Sequence, residues 1–296
     1  MIWVYRNIPQ GFEELSLAEM EFAGLTPASS RFYYGEDFDL SKSAYGAFTV
    51  EEVSRGFSAE DAITKFNRDI PSPYRVEKYQ NKRRRGSKTF ANLFEEIYGG
   101  VIRASEPRSI ILVFSPDDKN WIAGFLTEKK DSILDKMKNI TERTSVSLTS
   151  AAALALVNIS GNDPVVDPCC GTGLIPLASM LIGKKTYMAD NNYNMLNKSR
   201  INRDLLNLNI DISKKDAFKP WVEGCCLVSD FPADRSWDTN VEDLSLKLFL
   251  SWIPFIKSFC VIFPDRIIQK LPNNIQITKK IKFSAGRTIV LGVTKK

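Results

Sequence analysis

Val165-Val166-Asp167-Pro168-Cys169-Cys170-Gly171-Thr172-Gly173 is the segment best suited to chemistry. An apolar run ends in an acid, a glycine-rich turn follows, and an apolar helical pattern opens behind it. That order predicts a strand, a tight turn and a helix, with glycines that let a ligand approach the backbone. The spacing is G-x-G, and no G-x-x-x-x-G-K-[ST] is present, so a P-loop is excluded. The third glycine of the dinucleotide fingerprint is missing, because Pro176 stands in its place. A purely structural turn is the alternative reading of this segment.

Three further acids fall at the ends of later strand-like runs. Asp190 closes Tyr187-Met188-Ala189-Asp190 and suits the paired hydroxyls of a ribose; a helix N-cap is its alternative. Asp216, in Lys215-Asp216-Ala217-Phe218, could accept from an adenine amino group, or lie in a solvated loop. Asp230, in Val228-Ser229-Asp230-Phe231-Pro232-Ala233, could accept hydrogens from a substrate amine, or close an Asx-type turn. Ligands of open α/β sheets gather at such carboxyl ends. Cys169, Asn191 and Ala217 flank these acids and complete the candidate cofactor set of Asp167, Gly171, Gly173, Asp190 and Asp216.

Composition narrows the chemistry. The chain has no histidine, which excludes Ser-His-Asp triads, Cys-His dyads and His-based metal sites. Its five cysteines include no C-x-x-C pair, so neither a zinc ribbon nor a disulfide scaffold is expected, and no metal cluster is. No apolar run reaches the ~18 residues of a membrane span. The best stretch, 244–263, is broken by Lys247, Pro254 and Lys257. With no signal peptide visible at the amino end, a cytoplasmic protein is expected.

The elements that must position the acids follow from periodicity. The length of 296 residues suggests two domains. Residues 141–296 alternate strand and helix, with strands at 164–167, 186–189, 210–212, 226–229, 259–263, 275–283 and 288–293. Helices are expected between the first five, and a further helix at 145–159 leads in. This predicts a seven-stranded, mostly parallel, doubly wound sheet with an antiparallel last pair. Residues 1–140 read as a second α/β region, with strands near 2–5, 44–53, 74–76, 110–114 and 121–125 and helices at 12–23, from Ser58, and at 90–102. A charged linker over 128–144 sets the expected boundary near 140. The first part has net charge −1 and the second +6. One stretch of the first part is sharply basic: Arg75, Lys78, Lys82, Arg83, Arg84, Arg85 and Lys88, opposed only by Glu77. It reads as a phosphate-contacting surface or as a solvated loop.

Asp-Pro-Cys-Cys-Gly-Thr-Gly resembles motif I of S-adenosylmethionine-dependent RNA and DNA amino-methyltransferases. Thr144-Ser145-Val146-Ser147-Leu148-Thr149 is similar to the segment before motif I in THUMP-containing tRNA guanine-N2 methyltransferases. Gly11-Phe12-Glu13-Glu14-Leu15-Ser16-Leu17-Ala18-Glu19-Met20 resembles their opening P-G-[LF]-E-E-L. The stretch from Tyr74 through Gly99-Gly100 to Trp121-Ile122-Ala123-Gly124 is more loosely similar to a THUMP domain. The resemblance covers nearly the whole chain.

It implies a C-terminal Rossmann-like class I methyltransferase domain that binds S-adenosylmethionine, preceded by ferredoxin-like and THUMP-like parts that grip tRNA. A protein partner subunit is compatible with it. The family's motif IV, [ND]-P-P-[YF], falls on Asp230, Phe231, Pro232 and Ala233, which makes Asp230, Phe231 and Pro232 the catalytic candidates. Here the first proline is Phe231 and the base-stacking aromatic is Ala233, leaving Phe231 or Trp237 to stack on a base. Motif I departs too: the acid usual one turn into its helix is Leu177. An active guanine-N2 methyltransferase is therefore set against a homologue that keeps the cofactor pocket with weakened or lost catalysis. A DNA or rRNA amino-methyltransferase is a third reading, and a nicotinamide dehydrogenase lacks its full glycine fingerprint.

Overall fold

The computed structural model describes residues 1–296 except 81–82, 103–104, 118, 129–130, 145–146, 162, 232–241 and 296, and of residues 242–243 the backbone only. The chain divides into two compact units. The first comprises Met1–Ile8, Ala23–Leu40 and Gly46–Lys130; the second comprises Pro9–Phe22, Ser41–Tyr45 and Asp131–Lys296. The expected boundary near 140 falls inside the second unit, which also takes up two short segments from the amino-terminal part.

The chain begins with β1 (Ile2–Arg6), lends α1 (Glu13–Phe22) to the second unit, and returns through β2 (Thr26–Pro27), β3 (Phe32–Gly35) and β4 (Gly46–Gly56). Then come α2 (Ala59–Thr64), β5 (Tyr74–Gln80), β6 (Arg83–Gly86), α3 (Lys88–Tyr98), β7 (Ser109–Phe114) and β8 (Trp121–Glu128). The eight strands form one sheet in the order β2-β3-β1-β4-β8-β7-β5-β6. Sequence periodicity found all of these elements except the short β2, β3 and β6. Both helices start on serine caps. Ser58 accepts from Asp61 N and Ser87 from Phe90 N, satisfying amide groups that the first turn leaves orphaned. β7 reads as unbroken apolar sequence because it is buried on both faces. Ile111 and Val113 pack with Phe66, Tyr74 and Phe94, while Leu112 and Phe114 pack with Trp3, Phe32 and Phe48.

The second unit continues with α4 (Ile133–Met137), α5 (Ser150–Ile159), β9 (Val165–Asp167), α6 (Leu174–Leu181), β10 (Thr186–Asp190), α7 (Tyr193–Leu205), β11 (Ile212–Lys214), β12 (Cys225–Asp230), α8 (Glu242–Trp252), β13 (Ile256–Pro264), a 3-10 turn at Asp265–Lys270, β14 (Ile275–Ser284) and β15 (Arg287–Thr294). Its seven strands run in the order β11-β10-β9-β12-β13-β15-β14. The β11–β10, β10–β9, β9–β12 and β12–β13 pairs are parallel, whereas β15 pairs antiparallel with both β13 and β14. Strand order reverses at β9 and β12, which puts the carboxyl ends of these two strands side by side at the switch point.

Three expectations need correction. The stretch 128–144 is not simply a linker, because α4 opens on a Ser132/Asp135 capping box and buries Ile133 and Met137 in the second unit's core, with Ile140 beyond its end joining them. The helix expected at 145–159 starts at Ser150, with Thr149 as its cap. No helix joins β11 to β12. The ten residues between these strands hold Pro220 and a left-handed Gly224 (φ +71°), and run as turn and loop. Among the described residues, no helix is long and apolar enough to cross a membrane.

Candidate active site

Asp167 ends β9 with its carboxylate buried. Its Oδ1 accepts from Ser229 Oγ at 2.8 Å and from the Cys169 backbone N–H at 3.1 Å. Burial pushes its pKa up to about 7. The nearby charge of Asp190 adds to this, while the bonds from Ser229 and Cys169 oppose it. The turn is tied on its other side to Asp190, whose Oδ2 accepts from Gly171 N at 2.9 Å and whose Oδ1 accepts from Asn192 N at 2.8 Å. Asp190 thus sits behind the turn and shapes it. The N-cap of α7 is Asn192, whose side chain accepts from Asn194 N and Met195 N.

The two glycines do different work. Gly173 has φ +88°, and a Cβ there would lie 2.5 Å from Ser199 Oγ and 3.2 Å from Leu177 Cδ1. It lets α6 and α7 close against the turn. Gly171 has φ +53°, and a Cβ there would meet nothing within 4 Å. Its open side faces a cavity of about 910 Å³, lined on this flank by Asp167, Cys169, Cys170, Gly171 and Thr172. Thr144, Ser147 and Leu148 line the cavity as well. A residue not singled out in the sequence, Asn202 of α7, braces this wall. Fully buried, it donates to Thr172 O at 3.0 Å and Glu142 O at 2.8 Å and accepts from Glu142 N at 3.0 Å. The signal for it was a polar residue three positions after Ser199 and six after Leu196 on the buried stripe of α7. Cys169 and Cys170 are not candidate nucleophiles, because burial first, and then Asp167 and Asp190, push both thiols up.

The same cavity is closed by Asp230, Phe231, Pro264, Asp265, Arg266 and the β14–β15 hairpin from Ser284 to Arg287. Asp230, at the end of β12, accepts a charge-assisted bond from Arg287 Nη2. Asp265 accepts from Thr288 Oγ1 at 2.7 Å and pairs with Lys282. Phe231 is 1% exposed, and its ring packs edge-on against Phe263 at 5.8 Å. That ring belongs to the core and cannot stack on a base, which corrects the expectation for it. Pro232, Ala233 and Trp237 lie outside the described residues.

Of the cofactor candidates, Asp167, Cys169 and Gly171 line the cavity, whereas Gly173 and Asp190 stand behind its wall and Asn191, Asp216 and Ala217 lie outside it. Asp216 accepts from Phe218 N at 3.0 Å within its own turn. The Ala217 carbonyl is taken by Trp252 Nε1 at 2.8 Å, and Asn191 is exposed beside Asn192.

In the first unit the basic run is divided by the pleat. Arg75 pairs with Glu77 at 2.8 Å, and Arg84 reaches Glu128 at 2.6 Å with its guanidinium 5.1 Å from the Phe48 ring centre. Lys78 is on the opposite face of β5, 5.3 Å from the Phe90 ring centre and 5.7 Å from that of Trp121. Arg85 stands across from Lys78 and Arg83 across from Gln80, so both share that second face. Arg83, Arg85 and Lys88 are exposed, and Lys82 lies outside the described residues.

No family model matches the sequence, and no curated protein does. Solved structures do. TrmN from Thermus thermophilus is 16% identical, with 100% of each chain covered and a TM-score of 0.58. The chain shares the fold of TrmN. SMU.472, provisionally called a methyltransferase and solved in complex with SAH, is 13% identical over 100% of this chain and 98% of its own, with a TM-score of 0.53. A protein from Listeria monocytogenes named as a predicted N6-adenine-specific DNA methylase is 15% identical over 98% and 95%, with a TM-score of 0.52. At these identities the likeness is one of fold, and the chemistry has to be argued from the cavity.

Proposed function

We propose that the protein is an S-adenosylmethionine-dependent methyltransferase that modifies an exocyclic amine of RNA, with guanine N2 of a tRNA as its target. One observation carries this reading: the Gly171 turn after β9 and Asp230 at the end of β12 line a single cavity at the switch point of the sheet. The residues fit the cofactor. A cavity of about 910 Å³ lies in the range of sites for ligands of this size, and Gly171 leaves its wall open to close backbone approach. Asp167, Cys169, Gly171 and Gly173 would form the cradle. Each Asp190 oxygen has a lone pair beyond its one backbone bond for ribose hydroxyls. Gly173 and Asp190 do not line the cavity and would act from behind the turn that does, while Asn191, Asp216 and Ala217, also outside its wall, are weaker members of that set.

When bound, the cofactor supplies an electrophilic methyl group on a sulfonium. The chain's task is to present an amine to it. The exocyclic nitrogen of guanine is a poor nucleophile because its lone pair is delocalised into the ring. Asp230 and the backbone carbonyl of residue 231 would each accept one amine hydrogen, which favours a pyramidal nitrogen with its lone pair aimed at the methyl. Positioning and electrostatics would provide most of the acceleration. The target base must leave its stack to reach this depth. In the first unit, Arg83, Arg85 and Lys88 are the exposed cations suited to tRNA phosphates.

A second reading has its own support. The Phe231 ring is buried in the core and Asp230 is paired with Arg287, as expected of a chain that keeps the cofactor site while methyl transfer is weakened. One experiment separates the two: calorimetric titration with S-adenosylmethionine, followed by methyl transfer to unmodified tRNA with the same preparation. Binding with transfer supports the enzyme. Binding without transfer supports the weakened homologue, and no binding overturns both.

A further inference from the structure

The proposed mechanism needs the free lone pairs of Asp230, yet one of its oxygens is held by Arg287. These two residues come from distant parts of the second unit. Asp230 ends β12, and Arg287 starts β15, two strands away across β13. Both side chains remain reachable, 20% and 22% exposed, and both residues line the cavity. The guanidinium is incompletely used. Its Nε is shielded from solvent and has no hydrogen-bond partner among the described residues. Burial also pushes the Arg287 pKa down, the mark of a cation that its surroundings solvate poorly. A planar guanidinium held at Nη2 by a single carboxylate oxygen, poorly solvated and beside an acceptor site, suits exchange of that carboxylate for a bidentate oxyanion.

Sheet order says which anion. Gly171 lies in the turn after β9 and Asp190 ends β10, whereas Arg287 lies on the far side of β12. Arg287 is therefore on the acceptor flank, away from the proposed ribose contacts. A nucleotide within a polynucleotide brings a phosphate on each side of its sugar.

We propose that Arg287 recognises a backbone phosphate of the target nucleotide and exchanges Asp230 for it, so that phosphate binding frees the Asp230 carboxylate for the amine. This deepens the proposed function and rests on it. Arg287 becomes a specificity-determining residue that couples recognition of a nucleotide, as opposed to a free base or nucleoside, to exposure of the acid.

The competition between carboxylate and phosphate gives the test opposite signs at the two residues. Binding of guanosine and of guanosine 3′,5′-bisphosphate would be measured by calorimetry on the full chain, with and without SAH. The wild type is expected to prefer the bisphosphate at least tenfold. Arg287→Ala should lose that preference, and Arg287→Lys should retain only part of it. Asp230→Asn, which releases the guanidinium, should strengthen bisphosphate binding severalfold. A purely structural ion pair would weaken or leave unchanged both variants and would not separate them in sign. Equal binding of the two probes by the wild type overturns the proposal, as does an Arg287→Ala protein that keeps the preference or an Arg266→Ala protein that alone loses it. Failure to bind SAH would count against the cofactor reading only, because the probe preference measured without SAH still decides the role of Arg287.

Discussion

Glu19 accepts a hydrogen bond from Asn158 Nδ2 at 2.6 Å across 139 residues of chain. The same buried carboxylate accepts from Ser43 Oγ at 3.0 Å, Ala44 N at 2.6 Å and Tyr45 N at 2.8 Å. It therefore joins α1, the segment Ser41–Tyr45 and α5 into one body, while Leu15 and Ala18 of α1 enter the core that α5 and α6 share. Glu19→Ala would remove the acceptor of the buried Ala44 and Tyr45 amides, along with the bonds from Ser43 and Asn158, and is expected to destabilise the second unit by about 3–5 kcal/mol. Glu19→Gln, which can still accept on one oxygen, should cost less. Urea unfolding would measure both. A fragment starting at residue 141 should fail to fold cooperatively, and its two-state unfolding at wild-type stability would refute this assignment.

Asp167 makes stability depend on pH in an unusual direction. Its pKa is raised from 3.8 to about 7, so the folded chain holds a proton that the unfolded chain releases. Stability from this group is fully present below about pH 4 and is lost as pH rises to about 7, by on the order of a few kcal/mol. The chain has no histidine, which keeps this window otherwise quiet. Denaturant unfolding without added ligand should show the wild type losing stability relative to Asp167→Asn between pH 5 and pH 7.5. A constant difference would show that Asp167 does not titrate there.

Gly171→Ala and Gly173→Ala should separate cofactor binding from folding. At Gly171 the added methyl enters open space, so the cost to stability is the left-handed backbone alone, about 1 kcal/mol. The methyl also occupies the cavity wall, and SAH affinity is expected to fall tenfold or more. At Gly173 the methyl meets Ser199 Oγ and Leu177 as well, and thermal unfolding should register a larger loss, about 2–4 kcal/mol. Equal loss of stability in the two variants would contradict the packing role of Gly173.

The parts of this molecule legible in its sequence are those set by local pattern. The strand-turn-helix at Asp167–Gly173 follows from an apolar run meeting glycines, and the cap at Ser58 from a hydroxyl three residues before Asp61; the cap at Ser87 is not part of that reading, and the helix expected from Phe90 begins two residues earlier, at Lys88. What escaped was set by distance in the chain. The stripe on α1 marks a helix but does not say which unit it serves, because Asn158 lies far downstream. Arg287 opens an ordinary edge hairpin, and only the placement of β15 beside β13 brings it to Asp230. Phe231 occupies a motif position in sequence, while the pleat of the chain leaving β12 turns its ring toward Phe263. The missing helix between β11 and β12 was legible in principle, from Pro220 and Gly224 within ten residues, but regular alternation on either side outweighed it.

Asp230→Asn should separate binding from transfer. The amide keeps the shape of the side chain and one acceptor oxygen but loses the negative charge that draws on the amine hydrogens. Methyl transfer to unmodified tRNA is expected to fall at least a hundredfold, with S-adenosylmethionine affinity changed less than threefold, since no described contact joins Asp230 to the Gly171 turn. Full activity in this variant would remove Asp230 from the mechanism.

The basic run should divide by function as it divides by pairing. Arg84 bridges to Glu128 and lies over Phe48, so Arg84→Ala is expected to cost about 1–3 kcal/mol of stability in the first unit. Arg83, Arg85 and Lys88 are exposed, and their single alanine variants should unfold like the wild type. If their charges face tRNA phosphates, each variant weakens tRNA binding two- to tenfold and lowers the slope of log affinity against log salt by about one. Arg84→Ala should leave that slope intact once its stability loss is allowed for. Filter binding at several salt concentrations would decide the matter: slopes unchanged in all three exposed variants would move the tRNA-binding surface elsewhere, and a slope change confined to Arg84→Ala would reverse the assignment.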